Sequence, residues 1–254
     1  MLSVNLENQV AIITGGGTGI GRAIAIRLAE AGVKVAVNYN YSKDEAFQVV
    51  SAITTNGGEA AAYQCDVTNE EQVIEMMNKV TEDLGPVSIL VNNAGSLVER
   101  CKIEDMSEEL WEDTTNVNQK SVFLCSKHVI PIMKAQNYGR IINISSIAAR
   151  NGGGMGAVVY AASKAAVSAF TKGLAKELCE YGILVNGVAP GTITTRFHDR
   201  FTSNEARANI KKTIPLNREG TPEEVADAVL YLASPLSTFL LGEMIEVNGG
   251  QLMD

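Results

Sequence analysis

Val10-Ala11-Ile12-Ile13-Thr14 runs directly into Gly15-Gly16-Gly17-Thr18-Gly19-Ile20-Gly21. The first five residues read as a buried strand, β-branched and apolar on both faces. After the turn, Ile20, Ile24, Leu28 and Ala31 recur at helical spacing, and Gly32 stands where a helix would stop. A glycine turn between a first strand and a first helix lets main chain approach a pyrophosphate. The helix then offers unpaired N–H groups and the positive end of its dipole. The glycines fall at 15, 19 and 21, which is not the Gly-x-Gly-x-x-Gly spacing. Nucleotide binding therefore rests on the placement of the turn, and its cofactor-contact candidates are Gly15, Thr18, Gly19, Ile20 and Gly21.

The same alternation continues outward. Further strands are predicted over Lys34–Tyr39, Ala60–Cys65, Ile89–Asn92, Arg140–Ser145, Leu184–Val188 and Met244–Val247, with helical patterns between them. Three Ser/Thr-x-x-Glu boxes, Ser42–Glu45, Thr68–Glu71 and Thr221–Glu224, mark helix starts, the last reinforced by Pro222. The expectation is an α/β fold: one domain over 1–254, doubly wound, with a mostly seven-stranded parallel sheet covered by helices on both faces. The segment 192–218 interrupts the alternation with a loop and a helical pattern near Asn204–Thr213. Lying past a strand's carboxyl end, it is expected to be a substrate lid.

Composition narrows the function classes. With 254 residues, 46% of them hydrophobic, a full-sized core forms from one domain. A net charge of -8 leaves no basic footprint for nucleic acid. The cysteines Cys65, Cys101, Cys125 and Cys179 form no Cys-x-x-Cys pair, and His128 and His198 are the only histidines, so no metal site is expected. Neither a leader pattern nor an uncharged apolar run of membrane-spanning length is seen, and a cytoplasmic location without membrane contact is expected.

The second strand ends at Tyr39 and is followed by Asn40, Tyr41, Ser42 and Lys43, the first acid being Asp44. A carboxylate at that strand end would bond the adenosine ribose of NAD. Its absence favours NADP(H), with Asn40, Ser42 and Lys43 as donors to a 2′-phosphate, while NAD(H) use stays compatible. Asp66 and Val67 after the third strand, and Asn93, Ala94 and Gly95 after the fourth, sit where ligands lie in such sheets. Asp66 also suits capping of the helix near Thr68.

Tyr160 and Lys164 are four apart in an Ala/Ser-rich helical stretch and share a helix face. A phenol titrates near pH ~10, and a nearby ammonium favours its phenolate, which tunes it for proton transfer to a carbonyl oxygen. Tyr39 and Lys43 have the same spacing but lie at a strand end.

Taken in order, Thr14-Gly15-x-x-x-Gly19-x-Gly21, Asn92-Asn93-Ala94-Gly95, Tyr160-x-x-x-Lys164 and Pro190-Gly191, with Asn248-Gly249-Gly250 near the end, resemble the short-chain dehydrogenase/reductase family over nearly the whole chain. The resemblance implies a Rossmann fold and a tetrad of Asn118, Ser146, Tyr160 and Lys164. In it Tyr160 is the acid/base, Lys164 binds the nicotinamide ribose and lowers the phenol pKa, and Ser146 bonds the substrate oxygen. Asn118 holds a water that relays protons. Ser145 is the alternative serine and Asn116 the alternative asparagine. The resemblance also implies cofactor contacts at Thr18, Ile20, Asn40, Asp66, Val67, Asn93, Tyr160, Lys164 and Ile193, and places Pro190 and Gly191 at the cofactor cleft. A homotetramer is implied as well.

The implied reaction moves a hydride between a nicotinamide and a carbonyl or secondary alcohol of a small molecule such as a sugar, polyol or ketone. The layout is similar to bacterial glucose dehydrogenases and to 3-oxoacyl-carrier-protein reductases. Reductases that dock the acidic carrier tend to carry arginines at positions occupied here by Asn137 and Tyr181, which places that activity second. A non-catalytic NADP-binding sensor is a remote third reading, disfavoured because Tyr160 and Lys164 are both present. Within the lid Thr192, Ile193, Thr195, Phe197, His198 and Phe201 select no substrate, and Arg150 lies near the expected cleft.

Overall fold

The computed structural model describes residues 4–253. Seven strands form one sheet: β1 (Val10–Ile13), β2 (Lys34–Tyr39), β3 (Ala60–Gln64), β4 (Ile89–Asn92), β5 (Gly139–Ile144), β6 (Ile183–Pro190) and β7 (Met244–Val247). Their order is β3-β2-β1-β4-β5-β6-β7 and every pairing is parallel. The order reverses between β1 and β4, and a crevice opens there at the carboxyl ends of the strands. The expected doubly wound fold is present, with every strand limit within one or two residues of the sequence reading, β6 running two residues further to Pro190.

The helices are α1 (Gly19–Glu30), α2 (Lys43–Thr55), α3 (Glu70–Asp83), α4 (Glu108–Thr115), α5 (Ser121–Gln136), α6 (Ala148–Asn151), α7 (Val158–Leu178), α8 (Arg196–Phe201), α9 (Asn204–Thr213) and α10 (Pro222–Ala233). Strand periodicity divides the core between two faces. Ala11 and Ile13 of β1 pack with Ile24 and Leu28 of α1 and Val225 and Val229 of α10. Val10 and Ile12 point the other way, toward Val73 and Met77 of α3, Leu124 and Met133 of α5, and Leu174 of α7. No helix among the described residues is long and apolar enough to cross a membrane.

A buried polar chain ties the site-bearing helices to the sheet. Asn92 of β4 donates to Asn143 Oδ1 of β5 at 2.8 Å and to Ser126 Oγ of α5 at 3.2 Å. Asn143 in turn donates to Thr171 Oγ1 of α7 at 2.9 Å. Such a chain fixes register and helix placement, because each member would be costly to leave unpaired.

Of the three capping boxes, only Thr221–Glu224 forms, with both reciprocal bonds made. Ser42 precedes α2 but its hydroxyl makes no capping bond. Thr68 does not start α3. The cap is Asn69, which accepts from the Gln72 amide, while Thr68 donates through N and Oγ1 to Asp66 Oδ1 at 2.9 and 2.7 Å. An Asx-type turn at Asp66 outcompetes the box, because its carboxylate is a stronger acceptor two residues upstream.

Candidate active site

The cleft above β1, β4, β5 and β6 encloses about 580 Å³. On one side lies the glycine turn. Thr18 is the N-cap of α1 but makes no side-chain cap bond, and the first turn carries no acid, so the amino end of α1 keeps its N–H groups and positive potential. Gly21 admits no side chain, since a Cβ there would collide with the Gly15 carbonyl. Gly15, Thr18, Gly19, Ile20 and Gly21 all line the cleft. This cradle of bare backbone and an uncapped helix end fits a dinucleotide pyrophosphate.

Three polar side chains, of which the sequence reading gave Asn38 no role, hold the turn. Asn38, a buried polar residue inside apolar β2, accepts from Gly15 N at 3.1 Å and donates to Cys65 O at 3.0 Å. Thr14 Oγ1 accepts from the amides of Asn93 and Ala94, each at 2.9 Å. Asn93 lines the cleft as expected, yet its side-chain amide is committed to the carbonyls of Thr14 and Gly15. Its side chain therefore shapes the turn.

Ala94, Gly95, Pro190, Gly191 and Ile193 also line the cleft, Ile193 being buried and bridged to Gly220. Asn40, Ser42, Asp66 and Val67 lie outside that lining, at the carboxyl ends of β2 and β3, with Ser42 Oγ close against Gly17. No carboxylate ends β2, the next acids along the chain being Asp44 and Glu45 in the first turn of α2.

The other side of the cleft is built from β5, α7 and the turn between α4 and α5. Tyr160 and Lys164 lie one turn apart on α7, with Lys164 Nζ 6.0 Å from the Tyr160 ring centre. Ser146, two residues past β5, places its hydroxyl within hydrogen-bonding reach of Tyr160. Ser145 is turned away: its hydroxyl bonds Lys164 O at 2.9 Å and Ser168 Oγ at 2.8 Å, pinning α7 to the sheet.

Asn118 is fully buried in an expanded π-helical turn, Asn116–Lys120. Its side-chain nitrogen donates to Ser96 O at 2.6 Å and Thr114 O at 2.8 Å, and its Oδ1 accepts from Ser96 N at 3.1 Å. Gly95 sits between Asn118 and Lys164: a Cβ at 95 would lie 2.7 Å from Asn118 Oδ1 and 2.9 Å from Lys164 Nζ. Of the alternatives, Ser145 lines the same cleft with its hydroxyl bonded to Lys164 O and Ser168, and Asn116 is partly buried at the start of the same π-helical turn.

Burial dominates the electrostatics of the pair. Burial raises the Tyr160 phenol, and only the Ser146 hydrogen bond pulls it down. Burial also lowers the Lys164 amine to about 8. Lys164 Nζ donates to Ile144 O at 2.9 Å and stands 6.0 Å from the centre of the Tyr160 ring.

Helices α8 and α9 close over the cleft. Helix α9 follows the sequence reading, whereas α8 replaces part of the expected loop. Phe197 stacks 5.7 Å from the Tyr160 ring and 5.0 Å from Phe201. Arg196 reaches Glu45 of α2 at 2.8 Å, and Arg100 donates to Phe201 O at 2.6 Å and Met155 O at 2.7 Å. His198 lies on α8 with its side chain outside the described residues. Arg150 pairs with Glu246 at 3.1 Å and lies in a small adjoining cavity. Arg100, Leu97 and Gln251 line the main cleft and were not foreseen, and no local pattern marks them, since loops bring them in from distant parts of the chain.

Residues 15–251 match the family model described as enoyl-(acyl carrier protein) reductase. The chain is 42% identical to a 3-oxoacyl-[acyl-carrier-protein] reductase from Synechocystis, covering 98% of each. It is 38% identical to an uncharacterized oxidoreductase from Escherichia coli, covering 95% of this chain and 99% of that one. Among solved structures, a 7α-hydroxysteroid dehydrogenase complexed with NADH and 7-oxo glycochenodeoxycholic acid superposes with a TM-score of 0.94 at 36% identity, covering 99% of this chain and 97% of that one. A candidate NAD(P)-dependent gluconate 5-dehydrogenase from Beutenbergia cavernae, with bound NADP, gives 0.91 at 33% identity and covers 97% of this chain and 98% of that one. With its ordered motifs, its seven-stranded parallel sheet and these matches along almost its full length, the chain belongs to the short-chain dehydrogenase/reductase family of oxidoreductases.

Proposed function

We propose that this oxidoreductase uses NADP(H) in preference to NAD(H) to interconvert a carbonyl and a secondary alcohol on a small molecule, with Tyr160 as acid/base. The observation that carries the reading is the convergence of Tyr160, Ser146 and Lys164 on one wall of a cleft whose other wall is the bare glycine turn. A bound nicotinamide supplies or accepts the hydride. In the reductive direction Tyr160 Oη gives its proton to the substrate oxygen while Ser146 Oγ steadies the developing charge there. Burial keeps the phenol protonated and ready to donate. Lys164, held by Ile144 O, supplies a cation 6.0 Å from the Tyr160 ring centre and a hydrogen-bond donor toward a nicotinamide ribose. Asn118, with its side-chain nitrogen spent on Ser96 and Thr114 and its Oδ1 accepting one bond from Ser96 N, keeps a second Oδ1 lone pair for a water that reprotonates the site.

The preference for NADP(H) is supported by the absence of a carboxylate at the end of β2 and by Asn40, Ser42 and Lys43 beside it. Asp66 and Val67 are assigned to the adenine end. The segment 192–218 is assigned as the lid, supported by the Phe197–Tyr160 stack. A homotetramer is proposed, supported by exposed Trp111, Phe123 and Val158 on α4, α5 and α7 and by fully exposed Phe239. Thiols left unpaired at Cys65, Cys101, Cys125 and Cys179 suit a cytoplasmic setting.

Reduction of a 3-oxoacyl carrier-protein thioester is the second reading, favoured by the identity to curated reductases of that name. Against it, Asn137 is a left-handed helix cap and Tyr181 lies under Lys134, 3.6 Å away, so a single lysine stands where paired arginines would serve an acidic carrier. Absorbance at 340 nm with NADPH and NADH, over free ketones, diketones, sugars, polyols and a 3-oxoacyl thioester, separates the two. Thioester reduction far above the rest overturns the ordering. Tyr160→Phe is expected to remove turnover and spare cofactor binding, and retention of more than a few percent activity overturns the role of Tyr160.

A further inference from the structure

We infer that the substrate carries an anionic group, a carboxylate in the first instance, and that Arg100 is the residue that recognises it. This deepens the proposed function and rests on it. In a chain of net charge -8, the described residues lining the main cleft include no aspartate or glutamate and three cations, Arg100, Lys164 and Arg196. Two of these are accounted for. Arg196 is paired with Glu45, and Lys164 lies buried under Tyr160 against Ile144 O. The pyrophosphate half of the cleft needs neither, because helix N–H groups serve it.

Arg100 has no carboxylate within ion-pair distance among the described residues. It is nevertheless not a loose surface side chain. Nε donates to Phe201 O and Nη1 to Met155 O, so the carbonyl at the end of α8 and one from the loop between α6 and α7 hold the guanidinium at the cleft rim. Phe201 is linked through Phe197 to the Tyr160 ring, which places Arg100 on the substrate side of the cleft. The guanidinium fork has five N–H donors and two are used this way, leaving donors for a carboxylate. A preoriented cation in a cleft with no acid selects an anionic substrate and repels a cationic one.

The test uses the full chain, saturated with oxidised NADP for binding and supplied with NADPH for turnover of the ketones or oxidised NADP for turnover of gluconate and glucose, and three acid/neutral pairs of increasing size: levulinate against methyl levulinate, gluconate against glucose, and a 7-oxo bile acid against its methyl ester. Binding is read by quenching of cofactor or protein fluorescence, and turnover at 340 nm in parallel. The acid should bind at least tenfold tighter than its neutral partner in one pair or more. Arg100→Gln should bring that ratio to about unity and Arg100→Lys should keep part of it, the loss for one charge-assisted contact being about tenfold to a hundredfold. Loss of both members in equal proportion would make Arg100 a lid strap only, and weakened NADP binding would assign it to the cofactor. Either result overturns the inference, as does a wild-type chain in which no acid outbinds its partner. Tyr160-dependent turnover of the neutral members in that case would leave the oxidoreductase reading standing while removing the anionic substrate.

Discussion

Gly95→Ala tests the geometry of the proton relay through a single added methyl. The backbone at 95 lies outside the left-handed region, so alanine brings no torsional strain and its effect is steric. The new Cβ would stand 2.7 Å from Asn118 Oδ1 and 2.9 Å from Lys164 Nζ, and ordinary contact begins at 3.4 Å. One or both groups must retreat by about half an ångström. Neither can do so freely, because Asn118 is held by three hydrogen bonds to Ser96 and Thr114, and Lys164 by Ile144 O. Overpacking of this kind costs about 1–3 kcal/mol, which for a domain of this size lowers Tm by roughly 2–10 °C. A sub-ångström displacement of a reacting group costs on the order of tenfold to a hundredfold in kcat. The assay is kcat and KM for both cofactors on the best substrate found, with thermal unfolding and cofactor titration alongside. The expected result is a fall in kcat of at least tenfold with cofactor affinity within about threefold. A folded G95A variant with kcat within about twofold of the parent would refute the claim that Asn118 and Lys164 act at these positions.

Ser146→Ala is expected to lower kcat by about 10²–10³, as loss of one donor to a developing oxyanion does. Ser145→Ala instead loosens α7 from the sheet, costs on the order of 1 kcal/mol in thermal unfolding, and leaves most of kcat; the reverse pattern would exchange the two serines. Asn40→Asp should move the NADPH/NADH ratio of kcat/KM toward NADH by about tenfold or more through repulsion of the 2′-phosphate, and an unchanged ratio would remove Asn40 from that site. Lys164, lowered to about 8, is charged below that pH and neutral above it, so carbonyl reduction should decline as pH rises through about 8. Its contribution to stability has the opposite sign. The unfolded chain still binds that proton up to about 10.5, so between the two values the fold gains stability as pH rises. A Lys164→Met variant that keeps the alkaline limb of the rate profile would assign that limb to another group.

The sheet was legible because the strands between its two edges are buried on both faces and each connection is helical, so composition and periodicity point the same way. The cleft followed from topology, since loops at strand ends gather where the strand order reverses. What escaped the sequence was set by competition between neighbours. Thr68 has the pattern of a capping box, yet Asp66 two residues earlier captures it. Asn38 looks like a blemish in an apolar strand and is in fact the acceptor that fixes Gly15. Asn93 reads as a ligand contact and spends its amide on the turn. Ser145 and Ser146 are adjacent and chemically identical. Only the facing of two consecutive residues past β5, one toward α7 and one toward Tyr160, tells them apart.

The same logic explains why the two halves of the cleft differ in how they carry charge. The glycine-turn half uses the main chain, which a sequence can encode in four or five consecutive residues and a reader can recognise. The substrate half uses side chains from the loop after β4, the segment after β5, α7 and the lid, brought together over about a hundred residues of chain. Its exposed cation Arg100 has no carboxylate partner among the described residues and is fixed by backbone carbonyls. An arginine anchored by carbonyls keeps its full charge available, whereas one anchored by a glutamate, as Arg196 is by Glu45, does not. That difference makes substrate charge the first property to vary when searching for what this enzyme reduces or oxidises.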